Sequence, residues 1–239
     1  MEGRKSDPSG HLIDYNNFTK GRQLREILIS EQGSLCAYTG AGIDDVRLAK
    51  RQPRQGIPPV TDYWYTPHIE HLNPQAQCRA DLVGAEKTPG VDKGEDIDYH
   101  NMVAALKVDG IGHEQFGAIN ERHETLPVKP TDEECDSRFR FDGLGQISGL
   151  DNGAIETIRL LKLDHKTLND WRLGALEGFG FLPGASLDTQ GFDPVPPISQ
   201  EDLHTLKERM DTPFESKLVE FCFVIKSYAQ SMLPPEAEE

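Results

Sequence analysis

Breaks, more than any apolar run, set the limits on how this chain folds. Residues 52–59 are rich in Pro and Gly, residues 84–98 in Gly, Lys, Asp and Glu, and residues 180–198 again in Gly and Pro. Such stretches read as linkers, exposed insertions or loops. The periodic segments between them are short, and none approaches the roughly 18 apolar residues that a membrane span needs. Residues 1–17 read as an irregular arm with no apolar signal-peptide core. With 239 residues the expectation is a cytoplasmic protein of one or two domains with room for a proper core.

Between the breaks the pattern alternates in type. A helix is expected from about Phe18 to Gln32, with Leu24, Ile27 and Leu28 on one face and Gly33 as its stop. Leu35–Tyr38 is strand-like, Thr39-Gly40 a turn, and Tyr63–Leu72 a strand closed by Pro74. Tyr99 to Leu106 starts another short element. The C-terminal half reads as mainly helical. Asp151 or Asn152 caps a helix marked by Ile155, Ile158 and Leu161. Asp164 caps a second with Leu168, Trp171, Ala175 and Leu176 inward, and Ser199 with Asp202 opens a third. Leu218–Ile225 is apolar nearly all round and fits burial in the core. The fold class is α+β, a mainly helical chain. Its regions are an N-terminal arm and helix (1–60), a central unit (61–125) and a helical C-terminal region (126–239) with a linker at 180–198.

Charge restricts function. The formal net charge is -15. Residues 1–60 carry nine Lys and Arg against seven Asp and Glu, whereas the remainder carries 16 against 33. A free acidic protein is repelled by phosphate backbones, so an enzyme of nucleic acids with this composition needs help in reaching its substrate. Arg47, Lys50, Arg51 and Arg54 form the densest basic run. It reads equally as a phosphate contact or as a solvated helix end before Pro53. The four cysteines are far apart and form no CxxC pair, which argues against disulfides and paired zinc knuckles.

The chemistry concentrates at His68-Ile69-Glu70-His71-Leu72-Asn73-Pro74, with two imidazoles and a carboxylate within four positions. Phosphodiester hydrolysis needs a base for water and a cation to neutralise charge on the phosphate and the leaving oxygen. A neutral histidine suits the first role and a carboxylate holding Mg²⁺ the second. Neighbours at a strand end point to opposite sides, which would turn Glu70 to a metal and His71 to water. Asn101 follows after an insertion, and His113 comes twelve residues later. Two strands and a helix around one cation form a ββα-metal unit. The bland alternative is an ordinary surface His–Glu cluster.

Several ordered blocks carry a resemblance. They are Leu24-Arg25-Glu26 to Leu35-Cys36-Ala37-Tyr38, His68-Ile69-Glu70-His71 with Pro74, and Asp98-Tyr99-His100-Asn101-Met102. After Gly112-His113 come Leu126-Pro127-Val128-Lys129-Pro130, Arg138-Phe139-Arg140-Phe141 and Ala154-Ile155-Glu156-Thr157-Ile158. From about Leu24 to Phe179 the chain resembles the PtuB-type HNH nucleases of Septu and retron-associated anti-phage systems. The resemblance implies an embedded HNH motif with His71 as general base and Glu70 and His113 as metal ligands. Asn101 would orient the base or its loop, and His68 would support the site by touching metal or phosphate, or by packing. It implies a divalent metal, Mg²⁺ first and Mn²⁺ or another transition metal next. It also implies an ABC-type ATPase partner of the PtuA kind and, in a retron setting, a reverse transcriptase and its small DNA. Relatives commonly show Cys-Ala-Tyr-Cys. Here Cys36-Ala37-Tyr38 is followed by Thr39, and no cysteine precedes His113 in Gly110-Ile111-Gly112. This departure argues against a structural zinc and makes Cys36 a small buried residue. A non-catalytic adaptor, a nuclease acting alone and a structural metal domain are the rival readings. The residues do not distinguish DNA from RNA as substrate.

Overall fold

The computed structural model describes residues 20–43, 64–78, 96–109, 116–118, 124–181 and 198–234. It is a mixed α and β structure with two small antiparallel sheets. Helix α1 (Gly21–Glu31) comes first, with Leu28 and Ile29 buried while Ile27, expected on the same face, is half exposed. The helix stops just before Gly33, which has a positive φ. Leu35–Tyr38 is not a strand. Leu35 makes a single bridge to Gly42, and a turn follows.

Strand β1 (Trp64–His71) pairs with β2 (Met102–Asp109), in a register that sets His68 opposite Ala105, Glu70 opposite Val103 and His71 opposite Met102. Met102 through Leu106 are all buried, so β2 has apolar residues on both faces, as a strand covered on two sides requires. Its other edge is also sealed. The Gln32 side-chain amide accepts from Ala104 N at 2.7 Å and donates to Ala104 O at 2.8 Å. Ala37 N reaches the same carbonyl at 3.1 Å, and Leu106 N donates to Cys36 Sγ at 3.2 Å. Gln32, Cys36 and Ala37 thus protect an edge that would otherwise offer unpaired backbone groups. Cys36 is buried and the four cysteines are free thiols.

The C-terminal half contains a hairpin that the helical expectation lacked, β3 (Phe139–Phe141) with β4 (Ile147–Gly149). The alternation Phe-Arg-Phe is its signature, with both rings buried and Arg140 exposed. Helix α2 (Asn152–Leu161) starts at Asp151, whose carboxylate accepts from Ala154 N at 3.0 Å. It buries Ala154, Thr157 and Leu161, while Ile155 faces outward. Helix α3 (Lys166–Gly178) is capped by the His165 side chain rather than by Asp164, because the imidazole Nδ1 accepts from Thr167 N at 3.2 Å. Helix α4 (Gln200–Met210) begins at Ser199, which accepts from Asp202 N at 3.1 Å and donates to the Asp202 carboxylate at 2.6 Å. Helix α5 (Cys222–Met232) buries Val224, Ile225 and Ala229. One hydrophobic cluster runs from Leu28 through the β1–β2 pair to Ala229, and of the expected apolar segment Phe221, Val224 and Ile225 are buried in it while Glu220 is exposed. No helix among the described residues is long and apolar enough to cross a membrane.

Candidate active site

The end of β1 sorts its side chains by strand alternation. Ile69 and His71 turn to the interior, at 6% and 5% exposure, while His68 and Glu70 share the other face. His68 Nε2 lies 3.4 Å from Glu70 Oε1, with the Glu70 side chain mostly covered and that of His68 about half exposed. Glu70 and His71 therefore point to opposite sides of the strand, and His68 belongs to the Glu70 side.

His71 is held at both ring nitrogens. Nε2 sits 3.0 Å from the Asp96 carbonyl, and Nδ1 lies 3.3 Å from Gln75 Nε2. A carbonyl only accepts, so Nε2 carries the hydrogen and the neutral ring keeps its lone pair on Nδ1. Gln75 is delivered by a helical turn at residues 75–78 that opens on the Pro74 carbonyl. Pro74 thus starts the next element as well as ending the strand.

Asn101 fixes the turn between them. Its Oδ1 accepts from Asn73 N at 2.7 Å and its Nδ2 donates to Asn73 O at 3.2 Å, while Leu72 N donates to Asn101 O at 2.9 Å. A side-chain amide matches a peptide in both donor and acceptor, so Asn101 acts as one more rung of the β1–β2 ladder beyond the strand end. Cys78 Sγ closes this network at 3.5 Å from Asn73 O and 3.7 Å from Asn101 Nδ2. Asn101 itself is set by a short 3₁₀ turn, Tyr99–Asn101, capped by Asp98 accepting from His100 N. Burial, reinforced by a hydrogen bond to Glu31, pushes the Tyr99 hydroxyl up to about 12. It remains a neutral donor tying this turn to the end of α1. His100 is exposed beside the Tyr99 ring.

His113 and the basic run Arg47, Lys50, Arg51 and Arg54 lie outside the described residues. The described residues bring together His68, Glu70, His71 and Asn101. They contain no group of three or more His, Cys, Asp or Glu placed to hold a metal. A carboxylate with an imidazole on the same strand face is a donor set suited to a divalent cation between Mg²⁺ and the transition metals in hardness. Gln75, Asn73 and Cys78 were not expected from sequence. The spacing of Gln75 four residues after His71 is the one signal that pointed to it, because a helical turn after Pro74 folds such a residue back. No protein-family model and no curated protein sequence matches the chain.

Proposed function

We propose that the chain is an HNH-type, metal-dependent nuclease that hydrolyses nucleic-acid phosphodiester bonds. The observation that carries this reading is the Asn101–Asn73 clamp immediately after Glu70 and His71. It holds a base and an acidic ligand on opposite faces of one strand end. In this reading His71 takes the proton from the attacking water at Nδ1, while Asp96 O keeps Nε2–H in place and so fixes the tautomer. Gln75 Nε2 stands 3.3 Å from Nδ1, the position at which the attacking water would be held. Asn101 is a positioning residue, since its amide is spent on the main chain of the turn. Glu70, with His113 and with His68 in support, would hold Mg²⁺ or Mn²⁺, which supplies charge neutralisation on the phosphate and leaving oxygen.

The acidic balance beyond residue 60 favours action in a complex, with an ABC-type ATPase of the PtuA kind as regulator and, in a retron setting, the reverse transcriptase and its DNA as further members. The cytoplasm is the matching compartment. The test is incubation of the chain, alone and with that ATPase, with DNA and RNA in Mg²⁺ or Mn²⁺, comparing wild type with His71→Ala. Metal-dependent cleavage lost in the variant is the expected result. A second reading, an inert adaptor with an HNH shell, is favoured by the 5% exposure of His71. Unchanged defence in the folded variant, with neither protein cleaving, would establish the adaptor, and cleavage that survives the change would remove His71 as the base.

A further inference from the structure

Away from His71, two cavities adjoin on the C-terminal half. One, of about 400 Å³, is walled by Phe139, Phe141, Phe223 and Ile147, reaches Arg172, and has Asp132, Glu133 and Asp136 along another part of its lining. The other, of about 450 Å³, is lined by Arg140, Lys207 and Lys226 with the hydroxyls of Ser137, Ser227 and Ser231. Asp136 and Phe223 belong to both walls. Each volume lies within the roughly 300–1,000 Å³ of small-ligand sites.

Each cavity carries a buried polar atom that is not satisfied. Arg172 is 1% exposed. Its Nη1 donates to Leu163 O at 2.8 Å, to Asn169 Oδ1 at 3.1 Å and to Gly145 O at 3.5 Å. Its Nε has no acceptor among the described residues, and no carboxylate there lies within ion-pair distance. Burial lowers its pKa to about 10, so it still carries a charge at neutral pH. The guanidinium stands 5.4 Å from the centre of the Phe141 ring, which in turn is 5.4 Å from that of Phe223. In the second cavity Ser227 Oγ is likewise buried without a partner among the described residues. Leaving such groups unsatisfied is destabilising.

The cations beside Ser227 are held in place. Lys226 Nζ is fixed by Asp211 at 2.8 Å, and Lys207 by Gln230. Among the described residues Arg140 makes only a 3.4 Å contact to Phe139 O. Three cations gather here although acidic residues outnumber basic ones 33 to 16 after residue 60. An apolar guest would give Arg140 and Lys207 no anion, and a bare anion would leave the aromatic chamber unfilled. A flat heteroaromatic ring bearing acceptors, joined to an anion through a hydroxylated spacer, satisfies both chambers. Burial and the neighbouring Asp132 and Asp136 push the Cys135 thiol up to about 11, so it is not a nucleophile in this setting.

We infer that the paired cavities bind a nucleoside phosphate. Its base lies along Phe141 and Phe223 with a carbonyl or ring nitrogen toward Arg172. Its phosphate sits among Arg140, Lys207 and Lys226, and Asp136 faces the sugar hydroxyls. The site stands apart from His71 and does not depend on the chain being a nuclease.

Calorimetry on the full chain in EDTA tests this, with nucleoside 5′-monophosphates, inorganic phosphate and a ten-nucleotide single strand as probes. A saturable one-to-one heat with a mononucleotide or with the strand is expected, with inorganic phosphate at least tenfold weaker. Arg140→Gln combined with Lys207→Gln should weaken binding tenfold or more with melting temperature kept, Ser227→Ala about threefold, and His71→Ala not at all. Binding of the mononucleotide identifies a free nucleotide as ligand, and binding of the strand alone identifies a nucleotide within a chain. Both support the site. Equal affinity for inorganic phosphate, indifference to the Arg140 and Lys207 changes, or no heat with any probe at millimolar concentration would overturn it.

Discussion

The strand end at His71 and the double cavity beside Phe223 treat buried polar groups in opposite ways. At His71 both ring nitrogens have partners, Asn101 spends its amide on Asn73, and even the Cys78 thiol is engaged. At the cavities, Arg172 Nε and Ser227 Oγ have no partner among the described residues. The first arrangement is internally complete and rigid, which suits groups that must hold fixed positions during a reaction. The second, in the proposal above, is completed by a guest. A polar group satisfied by its own fold marks a position the chain must hold, and one left unsatisfied marks a position that something else should fill.

That contrast can be broken in several places. The largest effect belongs to His71→Ala, which should reduce metal-dependent cleavage by roughly 10²–10⁴-fold in a gel assay while nucleotide heats persist. Parallel loss of both activities would mean that the two regions are one site. Asn101→Ala comes next. Removing two hydrogen bonds from a half-buried turn should lower stability by about 1–3 kcal/mol in urea unfolding and slow cleavage with little change in substrate affinity. An Asn101 variant with normal stability would remove the clamp from the account.

On the cavity side, Gly145→Ala should destabilise by about 2 kcal/mol. An added Cβ would meet Asn169 O at 2.5 Å and Leu173 N at 2.7 Å at a φ of +74°. Nucleotide binding should weaken as Arg172 loses its Gly145 anchor, and cleavage should be spared at temperatures where the variant is folded. The smallest effect is that of Asp151→Asn, at the junction from β4 to α2. Arg138 grips both Asp151 oxygens, at 2.6 and 2.8 Å. With help from Ala154 N–H, it holds the carboxyl well below the usual carboxylate range. A lowered folded pKa gives stability that is fully present above the unfolded value near 3.9 and is lost as pH falls through the folded value. The variant should therefore melt a few degrees lower at pH 7. Thermal scans should show the gap narrowing below about pH 4.

The sequence was most readable where one residue type has one physical use. The His68–His71 run ended a strand as expected, Ser199 and Asp151 capped helices, and Cys36 was buried. It was least readable where packing overrode local preference. His165 took the cap that Asp164 was expected to supply, and Ile27 and Ile155 faced outward. The β3–β4 hairpin was hidden because its strands are only three residues long. Arg172 could not be foreseen at all, since nothing in a helical segment announces a cation whose acceptors include the Gly145 and Leu163 carbonyls outside its own helix. At the candidate site, Glu70 and His71 were legible as candidate residues. Their clamps were not, because Asp96, Gln75 and Asn73 act through main-chain geometry or a helical return.

The Asn73–Asn101 rung also bears on how the strand end keeps its geometry. It joins positions 28 apart at the neck of everything between them. Closing a longer loop costs only about 0.6 kcal/mol per doubling of length, and here the closure is made by one side chain outside that stretch. The geometry of Glu70 and His71 at the strand end is therefore tied to two asparagines at that neck.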